Sequence, residues 1–344
     1  MVGRITGLAK AADEGLVTCD VLVAGSGAAG LATALTASLH GLDVLMVEKE
    51  PLFGGTTAYS AGVIWIPGNR HGRALGIADS KEDALAYLQQ EAGNRLNLEL
   101  ANAFLDNCNP AVEFIESNTY VRYEAVPIWA DYHPTKAGAA QGGRSLLPLP
   151  FDGRRLGKRF AELRAPLRTM MAFGGMMLGR NDLPHVFRMT RSARSALHVA
   201  GMTVRYAVDR LGHARGTRLT NGNALIAGLA LSAQERGIDL WLDSPVVELM
   251  QRDGAVVGAV VKRNGQRQEI RARHGVVLAC LEMIVFGLAA VEPELEKAKA
   301  AVKGISTKDI REMTSYATPP AKVQVIAGSI ATLVGGIQRP AWAD

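Results

Sequence analysis

The chain has 344 residues, of which 48% are hydrophobic and 21% charged, and its formal net charge is +5. This composition excludes a mostly disordered or fibrous chain, and the length allows two or more domains with sizeable cores. Three distant cysteines without a CxxC pair provide no disulfide framework and favour a reducing compartment. The seven histidines lack metal-ligand spacing, so no metal is expected.

The first 20 residues mix charged and small side chains and lack the apolar core of a signal peptide, so we expect a cytoplasmic protein. Residues 21–39 carry no charge, and this run is long enough for a membrane-spanning helix. A buried core helix and a nucleotide cradle are the other two explanations of the same run. The glycines within it favour the cradle.

A βαβ unit is predicted around these glycines, with strand 20–24, a helix up to His40 and a second strand that ends at Glu48. Gly25 allows a tight turn, Gly27 lets the backbone approach a pyrophosphate, and Gly30 permits close packing of helix on strand. Glu48 follows Gly30 at the distance expected of the acid that binds the adenosine ribose. A turn without a ligand is the alternative. The predicted cradle comprises Gly25, Ser26, Gly27, Ala28, Ala29 and Gly30.

A second glycine-rich loop follows directly, in the stretch "EKEPLFGGTTAYSAGVIWIPGN" of residues 48–69. Its GGTT, Ser-x-Gly and "IWIP" features resemble flavoproteins of the fumarate reductase and 3-ketosteroid dehydrogenase superfamily. The resemblance implies FAD as the cofactor, whereas a turn packed on the sheet is the alternative. The implied cofactor contacts here are Glu48, Lys49, Gly54, Gly55, Thr56, Thr57, Ser60 and Gly62.

Residues 219–279 again show the helix and strand patterns of the first part of the chain. We predict a helix over 223–236, a strand over 238–242, and strands over 245–251, 255–263 and 268–279, with Asp-Gly and Asn-Gly turns between the last three. The order of this helix and these strands resembles that of the same flavoproteins. This resemblance implies a backbone contact of Val247 with adenine and places Ala279 beside the cofactor.

The segment between these two parts contains predicted helices over residues 80–93 and 97–118, then a long loop rich in Gly and Pro. Within that loop, "ADYHPTKAGAAQGGRSL" resembles a steroid-dehydrogenase segment whose tyrosine assists proton abstraction. The resemblance makes Tyr132 the candidate catalytic residue. A phenol with a pKa near 10 needs an activating neighbour or a proton relay for this role, and a structural tyrosine is the alternative.

Residues 136–218 contain sixteen Lys or Arg against four acidic residues. A basic, methionine-rich surface could contact anionic lipid, so a peripheral position at a membrane is left open, although a solvated face is favoured. Nucleic acid is not expected as a partner because no recognition motif accompanies the charge.

The flavoprotein resemblance ends near Cys280. Residues 292–336 are instead similar to a dynein heavy-chain stalk segment, through a "KxDIxEI…PPxxV" pattern that Lys308, Asp309, Ile310, Glu312, Pro319, Pro320 and Val323 match. Microtubule binding is not expected because one strand of a coiled coil lacks a partner for its apolar seam. We expect two helices, separated at Pro319-Pro320, that pack on the flavoprotein part or on a partner chain.

The predicted fold class is α/β, a Rossmann-like FAD-binding domain with an inserted substrate (cap) domain and a short helical tail. Its parts are the FAD-binding domain (1–75 and 219–282), the insertion (76–218) and a tail of different origin (283–344). The predicted function is FAD-dependent dehydrogenation next to the ketone of an apolar, steroid-like substrate. A fumarate-reductase-like flavoprotein and an inactive FAD- or ADP-binding remnant are the alternatives.

Overall fold

The computed structural model describes residues 16–279. Its strands are β1 (Leu16–Ala24), β2 (Val44–Val47), β3 (Ile64–Trp65), β4 (Tyr123–Ala125), β5 (Ser145–Pro148), β6 (Phe151–Asp152), β7 (Met171–Ala172), β8 (Met176–Met177), β9 (Arg218–Leu219), β10 (Asp239–Trp241), β11 (Val246–Arg252), β12 (Ala255–Arg263) and β13 (Gln266–Leu278). Its α-helices are α1 (Ala28–Leu39), α2 (Arg70–Ala74), α3 (Lys81–Ala92), α4 (Leu98–Asn118), α5 (Leu183–Arg188), α6 (Ala193–Asp209) and α7 (Asn221–Glu235).

The main sheet has six strands in the order β10-β2-β1-β13-β12-β11. The first four are parallel, and the last two continue from β13 as antiparallel neighbours. Leu22 and Val23 of β1 are fully buried on its opposite faces, as expected of a parallel strand covered on both sides. Because the carboxyl ends of parallel strands meet at one edge, that edge is where an open α/β sheet binds its ligands.

Two helices cover one face of this sheet. α1 begins directly after β1, and α7 packs against it, with eleven of the fifteen residues of α7 buried. Gly30 makes the approach of α1 possible, because a Cβ atom at this position would lie 2.0 Å from the carbonyl oxygen of Gly25. The uncharged run at residues 21–39 is therefore divided between β1, a turn and α1, and no helix among the described residues is long and apolar enough to cross a membrane.

The region between β2 and α7 contains short strands and helices. β3, β5 and β4 form one small sheet, and the pairs β6-β9 and β7-β8 form two more. The predicted helices at 80–93 and 97–118 are confirmed as α3 and α4, whose N-caps Ser80 and Asn97 accept hydrogen bonds from backbone N–H groups of the first turn.

Helices α5 and α6 were not predicted from the sequence. Only Ser195 and Asp209 of the seventeen α6 residues are buried, and apolar side chains occur on its outer face as well as on its inner one. The periodicity of a one-sided amphipathic helix is therefore weak there. The predicted domain boundaries stay predictions, and the expected tail helices lie outside the described residues.

Candidate functional site

The GSGAAG turn lies at the carboxyl end of β1 and starts α1. Gly25 has a φ of +108°, which favours glycine, and Gly27 is an extended N-cap without a side-chain cap. Within residues 16–279, the backbone N–H groups of Gly27, Ala29 and Gly30 have no hydrogen-bond acceptor. Free N–H groups at the positive end of a twelve-residue helix provide an anion site, as a pyrophosphate requires.

Glu48 connects this turn to the second glycine-rich loop. The backbone N–H and the hydroxyl of Ser26 donate to its Oε2 at 3.0 and 2.5 Å, and the N–H of Glu50 donates to its Oε1 at 3.1 Å. The hydroxyl oxygen of Ser26 accepts a hydrogen bond from the N–H of Gly54 at 3.1 Å. Three donors leave one lone-pair position of the buried carboxylate for a ligand hydroxyl.

The two glycine-rich loops touch each other. Gly54 and Gly55 both have positive φ angles, and a Cβ atom at Gly55 would lie 3.4 Å from the Cα atom of Gly27. The hydroxyl of Thr57 accepts from the first N–H of α1, that of Ala28, at 3.2 Å. The sequence-predicted contacts from both loops are thus close together in space.

The other side of the second loop rests on the N-terminus of α7. The N–H of Gly222 donates to the carbonyl oxygen of Ser60 at 3.0 Å. A Cβ atom at Gly222 would lie 1.9 Å from the carbonyl oxygen of Thr57, and one at Gly62 would lie 2.8 Å from the Gly222 nitrogen. The hydroxyl of Ser60 accepts from the Gly62 N–H and closes the loop. Only glycines permit this contact.

The remaining predicted cofactor contacts are less closely connected. Thr56 and Lys49 are exposed, and the Lys49 ammonium lies 3.7 Å from a Glu50 carboxylate oxygen. Ala279 donates its N–H to the Ala24 carbonyl oxygen and lies beside Gly30, at the ligand-binding edge. The register of β11 on β12 shifts at Val247, which has no partner residue on β12. Such a bulge leaves backbone groups open to a ligand, as the predicted adenine contact requires.

Tyr132 is 98% exposed, and no hydrogen bond of its side chain occurs within the described part of the chain. Both sequence neighbours of Tyr132 are held in place by hydrogen bonds. Asp131 accepts from Trp65 Nε1 at 2.7 Å and from the buried Arg144 at 2.7 Å, and the N–H of His133 donates to Tyr87. The phenol is therefore presented to solvent from a fixed backbone, without a neighbour that activates it.

Sequence reasoning missed two polar residues beside the second loop, Arg164 and Arg215, while the resemblance placed the Asn221-Gly222-Asn223 stretch near substrate and flavin without a role for Asn223. Asn223, fully buried, donates to the carbonyl oxygens of Ala58 and Arg164 and accepts from Arg215. Arg164 donates to the hydroxyl of Tyr59, and its Nε is buried without a partner in residues 16–279. No spacing pattern marks the two arginines, so only their position in the fold reveals them.

The expectation of a solvated face is wrong for part of the basic segment. Arg144 and Arg215 have only 1% and 8% of their surface exposed. Burial lowers the pKa of Arg215 to about 10, since its guanidinium has no carboxylate partner among residues 16–279 and packs on the ring of Phe160. Arg144 instead contacts Asp79 and Asp131. A count of charges along the sequence cannot separate such internal cations from surface ones.

The site fits an adenine dinucleotide. Three free N–H groups lie where a pyrophosphate binds, Glu48 retains an acceptor position for a ribose, and Arg164 keeps one unpaired donor near the second loop. Any side chain at Gly27 would point toward the Thr57 hydroxyl, 3.6 Å from its Cβ atom, and would fill the space between the loops. The donor set therefore suits a phosphate-bearing ligand.

Comparison with known proteins agrees with this geometry. The 4-oxocyclohex-2-ene-1-carboxylate 5-dehydrogenase of Sinomonas cyclohexanicum is 39% identical over 265 residues, 76% of this chain and 44% of that protein. The 3-oxosteroid 1-dehydrogenase of Comamonas testosteroni is 34% identical over 264 residues, 75% of this chain and 46% of that protein. The chain spans less than half the length of these relatives.

A solved structure gives the same result. The 3-ketosteroid delta1-dehydrogenase from Sterolibacterium denitrificans, in complex with 1,4-androstadiene-3,17-dione, has 35% identity and a TM-score of 0.69, and the match covers 76% of this chain and 47% of that one. The described part thus has the mixed α/β fold with an FAD-binding domain that the sequence predicted.

The family comparison reaches further along the chain than expected. A family model described as FAD binding domain matches residues 20–303, beyond the expected end of the resemblance near Cys280. The boundary at residue 283 and the dynein-like stretch therefore stay predictions. FAD is the cofactor of this family, as the sequence predicted. The chain belongs to the FAD binding domain family.

Proposed function

We propose that this chain is the FAD-binding part of a dehydrogenase that introduces a double bond next to a ring ketone. The contact between the two glycine-rich loops carries the proposal, since it combines a pyrophosphate cradle with a loop that can reach the rest of the cofactor. The relatives that support this chemistry act, by their names, on oxo compounds with a ring. They favour it over fumarate-reductase-like hydride transfer.

The proposed reaction removes a proton and a hydride from adjacent carbons of the substrate, and a carbon–carbon double bond forms between them. When bound, FAD supplies the hydride acceptor. The chain's own residues hold the cofactor through the free N–H groups of the cradle and through Glu48. The substrate's carbonyl group makes the proton next to it acidic enough for a base to remove.

Tyr132 is the proposed proton acceptor or relay. Its backbone is fixed through Asp131 and His133, while its side chain is free to meet a substrate. A phenol becomes an effective base only after its proton can pass to another group, so the proposal requires a relay that forms with the substrate bound. The test is Tyr132→Phe, which removes the hydroxyl and leaves the ring.

The proposed substrate is an apolar cyclic ketone of the steroid type, and the proposed position of the protein is the surface of a membrane, into which such ketones partition. An additional partner chain that contacts the C-terminal residues is part of the same proposal.

An inactive FAD- or ADP-binding remnant is the second candidate. The observation that favours it is the coverage, because the chain spans 44% and 46% of two dehydrogenase relatives. Residues that a complete enzyme places around its substrate would then be missing, while the cradle would still bind the nucleotide.

The visible spectrum of the purified chain separates these candidates. A yellow protein that bleaches on anaerobic addition of a 3-ketosteroid would support the dehydrogenase. A yellow protein that does not bleach with any cyclic ketone would support the remnant. A colourless protein that takes up no added FAD would contradict the dehydrogenase and leave a remnant whose cradle binds only an adenine nucleotide.

A further inference from the structure

Helix α6 is apolar on two opposite faces. Its inner face packs on the protein through the half-buried Val199, Met202 and Tyr206, with Ser195 and Asp209 buried near the two ends. Its outer face has apolar residues at alternating spacings of four and three, a 3.5-residue repeat that produces one continuous seam along a helix. The seam consists of Leu197, Gly201, Val204, Val208 and Leu211, the last just beyond the helix end. The four large side chains are each at least 60% exposed.

The same stretch carries cations without surface acids. Residues 183–211 contain one acidic residue, Asp209, and it is buried. Their five arginines are all exposed: Arg188, Arg191, Arg194, Arg205 and Arg210. Arg205 lies 3.6 Å from a carboxylate oxygen of Asp152, and the other four have no ion pair within residues 16–279. The exposed charges of residues 183–211 are therefore all positive, and the half-exposed Asp152 offsets only Arg205.

Two elements beside α6 carry exposed aromatic side chains. Helix α5 packs on α6 and leaves Phe187 79% exposed. The β7–β8 turn is attached to α6 because the hydroxyl of Tyr206 donates to the carbonyl oxygen of Phe173 at 2.9 Å. Phe173 has a φ of +50° and is 72% exposed. Because Tyr206 lies on the inner face of α6, this hydrogen bond places the turn beside that face, and the exposed aromatic ring of the outer surface comes from α5.

We infer that the outer surface of α5 and α6, here called the basic apolar face, docks on a membrane that contains anionic lipid. Exposed aliphatic and aromatic side chains enter the acyl region while arginines contact headgroup phosphates, which is the pattern of interfacial helices. The inference refines the membrane-surface position under the proposed function, on which it rests, and it does not depend on turnover.

Charge argues against a second copy as the occupant. A two-fold dimer through this face would place five arginines of one protomer opposite the same five of its partner, with no surface acid between residues 183 and 211 to pair with them. An anionic lipid surface is complementary to all of them at once. No helix among the described residues is long and apolar enough to span a bilayer.

The test is flotation of the full-length chain with vesicles of phosphatidylcholine, with and without phosphatidylglycerol. We expect binding only to the vesicles that contain phosphatidylglycerol, weakened at high salt because headgroup charges are screened. The double variant R191Q/R194Q should bind about 25-fold more weakly, roughly fivefold for each arginine. Its matched control, R252Q/R267Q, removes two exposed arginines from the β11–β13 region and should bind like the wild type.

The apolar contribution is tested with F187S/L211S, which should bind at least tenfold more weakly than the wild type. The matched control is Leu100→Ser, on α4, where an exposed leucine is removed far along the chain from the face. Thermal melting of each variant verifies that the fold is unchanged. The FAD spectrum of the same samples reports on the proposed function separately, because membrane binding by a colourless protein would refute only that function.

Three results would overturn the inference. One is equal binding of the wild type and of both face variants to the two kinds of vesicle. Another is a dimer in light scattering that becomes monomeric in F187S/L211S, which would make the face an interface between copies. The third is protection of Phe187 and Leu211 from hydroxyl-radical oxidation in the vesicle-free monomer, which would show that another segment of the same chain covers them.

Discussion

Replacing Gly222 by alanine tests the contact between the second glycine-rich loop and α7. The new Cβ atom would lie 1.9 Å from the carbonyl oxygen of Thr57 and 2.8 Å from that of Ser60. An ordinary contact is about 3.5 Å, so the loop must retreat by more than an ångström. Overpacking of this kind costs about 1–3 kcal/mol of folding free energy. For a chain of this size, that corresponds to roughly 2–4 °C of melting temperature per kcal/mol.

FAD affinity should fall more steeply than stability. The loop that retreats also carries Gly55 and Thr57, which contact Gly27 and Ala28 of the cradle. A displacement of about 1 Å in a positioned site costs up to a hundredfold in function, and we expect at least a tenfold rise in the dissociation constant for FAD. Quenching of flavin fluorescence during titration of the apoprotein measures it.

The control is Gly201→Ala in α6, where a Cβ atom would meet nothing within 4 Å. Alanine is about 1 kcal/mol better than glycine inside a helix, so this variant should be slightly more stable and bind FAD unchanged. If Gly222→Ala bound FAD as tightly as Gly201→Ala and melted at the same temperature, the close contact of loop and helix would be refuted.

Three further changes have defined outcomes. Glu48→Gln should lower the unfolding free energy by about 1–3 kcal/mol, because one of its buried acceptors becomes a donor, and it should also weaken FAD binding. The control is Glu50→Gln at a half-exposed position, which should have neither effect. Urea unfolding and FAD titration measure the two effects. Burial raises the pKa of Glu116, but hydrogen bonds from the Tyr123 N–H and His71, with the charge of Arg70, lower it overall. The stability that this group contributes is therefore present above its unfolded pKa and is lost as pH falls through its folded pKa. Glu116→Gln should accordingly show a shallower loss of stability between about pH 5 and 3. Tyr132→Phe should leave the melting temperature unchanged, because the side chain is exposed, and should lower turnover of a cyclic ketone at least a hundredfold; equal turnover would remove Tyr132 from the mechanism.

The cradle was predictable because it is local. Gly25, Gly27 and Gly30 each meet a requirement of the turn in which they lie, and Glu48 directly follows the next strand, β2. Predicted strands in the last third of the described chain agree with β10–β13 to within about two residues at most ends. Alternation of apolar residues and Asn-Gly or Asp-Gly turns determine those elements locally as well.

Contacts between distant segments were not predictable. The pairing of Asn223 with Arg164 and Arg215 depends on how the insertion folds back onto α7, which no spacing in the sequence encodes. Burial of Arg144 depends on two aspartates that are 65 and 13 residues away. Helix α6 was not predicted for a different reason. Apolar residues lie on two of its faces, so its sequence lacks the hydrophobic periodicity of a one-sided amphipathic helix.

The pairing of β1 has a consequence for the order in which the protein is made and folded. Leu22 of β1 lies opposite Val276 of β13, so the centre of the sheet joins residues that leave the ribosome 254 positions apart. At about 5–20 residues per second, the strand that carries the cradle waits roughly 13–50 s for this neighbour. During that time only β2 can pair with it from the nearby chain. We expect FAD to be incorporated after synthesis has passed residue 279, and an unpaired edge of β1 to be a site where chaperones act on the nascent chain.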